Sequence, residues 1–211
     1  MNFRVNSLYR GIANTAAVRS TPGAPNGGTA TLPPYPSLWI SEVQPVNIST
    51  VADGAGEFEP WVELYNSGIV PISLDGVYLA SSYTNLLGWA FPPAATIAAG
   101  QYLLVWADGE VAESTPASLH TNFRLDPTNG AVVLSRSLGG AAQILDYVNY
   151  AGVGGGQSIG SFPAGSVGAR ETFFYPTPGE TNNPTAPPVP LFINEWMASN
   201  TEIIADPADG D

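Results

Sequence analysis

Apolar and polar residues alternate with a period of two over many short stretches of this chain, and clusters of Gly, Pro, Asn, Asp and Ser separate the stretches. Such alternation sends successive side chains to opposite faces of an extended strand, so it predicts half-buried β-strands. Strands are expected near Leu38–Gln44, Trp61–Asn66, Ile69–Leu74, Gly76–Ala80, Trp89–Phe91, Tyr102–Ala107, Asn122–Leu125, Ala131–Ser135, Ile144–Tyr150 and Ser158–Phe162. Asp126-Pro127-Thr128-Asn129-Gly130 reads as a hairpin turn between two of them. Only a partly helical turn near 111–119 breaks the pattern. Short strands at roughly 8–12-residue spacing point to an all-β sandwich of about seven to nine strands. Its expected core is Val62, Leu64, Leu79, Phe91, Leu104, Trp106, Val133 and Leu145. Glu63 lies between Val62 and Leu64, so alternation sends it to solvent.

The two ends of the chain repeat one another. Thr21-Pro22-Gly23-Ala24-Pro25-Asn26 returns as Thr177-Pro178-Gly179-Glu180-Thr181-Asn182. Each copy leads through a Pro-rich connector into an apolar strand with one acid, Leu38-Trp39-Ile40-Ser41-Glu42-Val43 and Phe192-Ile193-Asn194-Glu195-Trp196-Met197. Repetition at a fixed long period means tandem modules. The expected organisation is a remnant of a preceding module (1–26), a linker (27–37), one whole module (38–182), a Pro-rich linker (183–190) and the first strand of a following module (191–211). A strand such as the one carrying Phe192, Ile193 and Trp196 is not stable alone in water. It belongs either to a longer array or to a docking contact with a neighbouring copy, and such docking would build a head-to-tail fibre.

Composition narrows the function. The formal net charge of −12 argues against binding nucleic acid. No lysine and no cysteine are present, which removes Schiff-base, thiolate and disulfide chemistry. No run approaches the ~18 apolar residues of a membrane span. Residues 1–8 lack the apolar core of a signal peptide, so for an exported protein the signal is expected upstream or already removed. Abundant Gly, Pro, Ser and Thr in tandem modules point to an extracellular or cell-surface protein.

Several segments together resemble the lamin tail domain: Ile40-Ser41-Glu42-Val43, Gly56 to Asn66, Ile72 to Leu79, Trp89-Ala90-Phe91-Pro92, Ile97 to Asp108, Leu119-His120-Thr121-Asn122-Phe123-Arg124-Leu125, and the closing Pro176-Thr177-Pro178-Gly179. The resemblance runs in order over about 38–182. It implies an immunoglobulin-like sandwich that serves as a binding or structural module, and it supplies no catalytic residues.

Candidate chemistry is sparse. His120 is the sole histidine, so a Ser-His-Asp triad would have to pass through it; a structural hydrogen bond is the simpler expectation. Glu57 and Glu59 on one strand face would stand about 7 Å apart, a spacing that overlaps that of glycosidase carboxylates. Asp53, Glu57 and Glu59 could hold calcium through oxygen ligands. No other cofactor is expected. Gly152 to Gly156 lacks the lysine of a phosphate loop and reads as a turn. Trp39, Trp61, Trp89, Trp106 and Trp196 could stack on sugar, although strand tryptophans more often pack in the sheet. The expected role is a non-enzymatic structural or interaction module whose partners are neighbouring modules or copies of itself. The alternative is a glycan- or calcium-dependent targeting module beside a secreted hydrolase.

Overall fold

The computed structural model of the chain describes residues 15–17, 29–31, 33–166, 170–187 and 193. The strands are β1 (Thr15–Ala17), β2 (Thr29–Thr31), β3 (Leu38–Gln44), β4 (Trp61–Asn66), β5 (Ile72–Ser73), β6 (Val77–Ala80), β7 (Trp89–Ala90), β8 (Thr96–Ile97), β9 (Tyr102–Trp106), β10 (Leu119–His120), β11 (Asn129–Leu138), β12 (Ala141–Ala151), β13 (Ser158–Ser161) and β14 (Arg170–Phe173), with one 3₁₀ turn at Val111–Glu113. A six-stranded sheet has the order β10-β9-β4-β3-β13-β14, and a four-stranded sheet the order β12-β11-β6-β7. All neighbours are antiparallel except β10 with β9. β5 pairs with β8, and β1 with β2. Twelve described strands therefore lie between Leu38 and Phe173, more than expected, because several are two-residue ladders.

β3 and β4 fall where alternation placed them. Residues 69–74 shrink to β5, leaving Ile69 and Val70 exposed. Residues 122–125 form only a bridge between Arg124 and Asp108, and the true strand, β10, lies just before them. The turn at 126–130 joins no hairpin. Asp126 Oδ1 accepts the backbone N–H of Thr128 (2.8 Å) and of Asn129 (3.1 Å), and this local turn feeds the chain into β11. The long hairpin is β11–β12 instead, turned by Gly139 and Gly140 with φ of +58° and +84°. Two successive positive φ values make the turn whose twist suits paired strands.

The inner faces of the two sheets close on one cluster. Leu38, Ile40, Val43, Val62, Leu64 and Val105 meet Leu79, Val132, Leu134, Leu145 and Val148 in it. Of the expected core, Leu104 is only half-buried; β9 turns Leu103 and Val105 inward and Leu104 to the outer face opposite Glu63. Arg170 ties the sheets along one side. Its guanidinium pairs with Asp146 of β12 at 2.8 Å and donates to Ile40 O of β3, while Asp146 also accepts Ile40 N–H at 2.9 Å. The end of the expected linker is held too, since Arg136 of β11 donates to Pro33 O (2.7 Å) and Pro34 O (3.0 Å) beneath the Tyr35 ring.

Glu63 corrects the simple alternation rule. It has no solvent exposure, because the outer face of the six-stranded sheet is covered as well.

Candidate functional site

The cover is the repeated segment Thr177–Asn182. Register places Glu42 of β3 directly opposite Glu63 of β4, both fully buried. Adjacent like charges in a desolvated place are unfavourable unless protonated or well supplied with donors. Glu42 accepts Ser158 Oγ–H, the Thr177 backbone N–H (3.1 Å) and Thr177 Oγ1–H (3.2 Å). Glu63 accepts the backbone N–H of Gly179. A bulge at Ser41 frees its carbonyl, and Asn182 Nδ2 donates to Ser41 O (2.9 Å) and to Ser161 O of β13 (2.8 Å). Only glycine fits at 160, because a Cβ there would stand 2.2 Å from Ser41 O. Burial pushes Glu63 up to about 8, with the Gly179 N–H opposing and the Glu42 charge reinforcing the rise. Burial also raises Glu42, against the donors from Ser158 and Thr177. Segment 177–182 is thus a latch that seals an acid pair across the two central strands.

A second polar group lies on the loops flanking β4 and β9. Asp53, Glu113 and His120 each bring a ligand atom within 4.8 Å of the others, and so do Glu57, Glu110 and Glu113. Asp53 and Glu57 of the expected calcium trio therefore fall in different groups. Glu59 joins neither and pairs with Arg124 at 2.5 Å. Residues 57–60 lie outside any strand, so Glu57 and Glu59 do not share a strand face. Glu110 is raised by desolvation and by the charges of Glu113, Asp108 and Glu59, with Arg124 acting the other way. His120 is buried and makes the expected structural bond, its Nδ1 lying 2.6 Å from Asp108 Oδ2. Its Nε2 lies 3.2 Å from Ser118 Oγ, which also accepts the Trp106 indole N–H at 3.1 Å. The connectivity is that of a Ser-His-Asp relay, but the indole N–H occupies the serine oxygen and the imidazole is packed beside Trp106.

Trp39, Trp61, Trp89 and Trp106 are all buried in the sheets, so they form no stacking platform for sugar. Trp196 and Phe192 lie outside the described residues. Ile193 is described and is exposed. Gly152 to Gly156 forms a turn whose Gly156 N–H donates to Val46 O. Sequence reasoning left out Asp108, Glu110 and Glu113, whose proximity to Asp53 exists only after folding. It also read the repeated segment as the mark of tandem modules and gave its residues no bonding role, although that repetition was the available signal for the latch.

The architecture agrees with one known family over most of the described sandwich. A sequence model of the lamin tail domain matches residues 35–151. The chain belongs to the lamin tail domain family. The match covers β3 to β12; beyond it β13 pairs with β3, β14 pairs with β13, and the latch covers the outer face of β3 and β4. The lamin tail domain is an immunoglobulin-like, non-catalytic interaction or structural domain. No curated protein matches the chain. Among the described residues no helix is long and apolar enough to cross a membrane.

Proposed function

We propose that this lamin tail domain is one self-closing structural or interaction module of a secreted or cell-surface protein built from several such modules. The observation that carries the reading is the chemistry of the repeat. Thr21, Gly23 and Asn26 match Thr177, Gly179 and Asn182, the residues whose groups bond Glu42, Glu63 and the Ser41 carbonyl. The positions that change, Glu180 and Thr181 to Ala24 and Pro25, supply none of those bonds. In sequence, Glu195 of Ile193-Asn194-Glu195 likewise matches Glu42 of Ile40-Ser41-Glu42. What recurs is a closing device and its target, as expected of modules that each seal themselves. The anchored connector at Pro33 and Pro34 suits a spacer that enters its module in a fixed direction.

A fibre is the second form of the same reading. In its own module the strand at 192–197 would take the place of β3, between β4 and β13. That place is filled in an intact neighbour, so docking would have to use an outer edge, β10 or β14 of the larger sheet or β12 or β7 of the smaller. Recognition of a glycan for a neighbouring hydrolase would rest on surfaces other than the described tryptophans. An antibody against 38–182, applied to cells of the source and their medium, tests the proposal. The array reading expects a surface-accessible or secreted product well above 22.0 kDa. A 22.0 kDa product confined inside the cell would overturn it.

A further inference from the structure

We infer that Asp53, Glu113 and His120 form a binding site for a divalent cation of the zinc type, with His120 Nε2 and the two carboxylates as ligands. The three come from separate segments: the loop after β3, the 3₁₀ turn and β10. Each presents a ligand atom within 4.8 Å of the other two. Mutual placement of this kind suits one small ion with three protein ligands and open positions for water or a partner's side chain.

The imidazole is already prepared. Its Nδ1 faces Asp108 Oδ2 at 2.6 Å with both side chains buried, a contact that needs the N–H on Nδ1 and leaves Nε2 as the nitrogen that can ligate. A carboxylate behind a histidine in this way fixes the tautomer and strengthens the nitrogen as a ligand. Among the described residues Nε2 has one hydrogen-bond contact, the Ser118 hydroxyl at 3.2 Å; its proton can rotate off Nε2 while Oγ keeps the Trp106 indole N–H.

Asp53 gives an independent sign of a missing partner. Its Oδ1 accepts the backbone N–H groups of Ala55 (2.9 Å) and Glu57 (2.8 Å), which fixes the carboxylate. Its Oδ2 is shielded from solvent and has no hydrogen-bond donor among the described residues. A buried carboxylate oxygen without a donor is costly, and a bound cation removes that cost. The surroundings add to the attraction, since Glu57 and Glu110 stand beside Glu113 while Arg124 is engaged by Glu59. Nitrogen in the ligand set selects zinc over calcium, which prefers oxygen throughout.

The test uses the full chain stripped with EDTA and titrated calorimetrically with ZnCl2 or CaCl2. His120 is the sole histidine, so its ring nitrogens give a single long-range 1H–15N pattern. One Zn2+ per chain is expected, binding at least about tenfold more tightly than Ca2+, with the Nε2 resonance moving in step with occupancy. Asp53→Asn and Glu113→Gln should each weaken Zn2+ about tenfold or more while far-UV circular dichroism stays unchanged. Glu171→Gln, exposed on β14, should bind as the parent does. An unmoved Nε2 resonance, unaltered affinity in both variants, or Ca2+ binding as tightly as Zn2+ would overturn the assignment; the last would place the ion on Glu57, Glu110 and Glu113.

Discussion

Glu63 is the residue whose surroundings depart furthest from what its neighbours in the chain suggest. Alternation identified Val62 and Leu64 as inward-facing and sent Glu63 to solvent, but whether the opposite face meets water depends on what covers it. The cover comes from a segment more than a hundred residues away, Gly179 within the latch. The consequence is a definite pH dependence. In the unfolded chain Glu63 releases its proton near 4.5, whereas in the folded module it keeps it to about 8. The folded state binds more protons across that interval, so stability is greatest at the acid end and falls as pH rises, by up to about 1.4 kcal/mol per pH unit from this group. Glu42 moves in the same direction. Melting temperatures measured between pH 5 and 8 should decline, and Glu63→Gln should flatten the slope and raise stability at pH 8. A parent melting temperature that is level or rising over that range would contradict the burial of this acid.

At the scale of elements, β3 owes its place to both of its faces. Leu38 and Ile40 share a parity and pack into the core; Val43 has the opposite parity and joins them only through the bulge at Ser41, which alternation does not show. Nor does alternation show that Ser41 and Glu42 take bonds from β13 and the latch. The bulge at Ser41 explains part of the difference, because one extra residue shifts the register and leaves a carbonyl for Asn182. Asn182→Ala removes two donors and strands Ser41 O and Ser161 O in a buried place; urea unfolding should show a loss of about 2–3 kcal/mol. Gly160→Ala should cost about 3 kcal/mol or more, since its Cβ meets backbone rather than a movable side chain. An unchanged urea midpoint in both would remove the latch from the account. β10 shows a different limit on reading sequence: two residues pair in parallel with β9, too short a stretch for any period to reveal. The turn of β11–β12 was open to reading, since Gly139-Gly140 is a favoured hairpin pair, yet Asn129-Gly130 offered an equally good local signal. Tertiary pairing decided between them.

For the whole molecule, fold class and family were legible because they depend on many weakly informative strands acting together. The ligand groups around Asp53 were half legible: Asp53 and Glu57 stood out as loop acids, whereas Glu110, Glu113 and His120 join them only through the folding of the 108–120 loop against β9 and β10. The terminal segments bear on assembly. If strand docking builds a fibre, deleting 191–211 abolishes fibres seen by electron microscopy; fibres that survive the deletion exclude docking by this strand. The central claim is that the module is closed by its own latch, and urea unfolding of residues 33–187 beside a fragment ending at 174 tests it most directly. The longer fragment should unfold in one cooperative step and lose stability from pH 5 to 8. The shorter one should be at least about 3 kcal/mol less stable, without that pH slope. Equal stability and equal pH dependence in the two fragments would contradict the account.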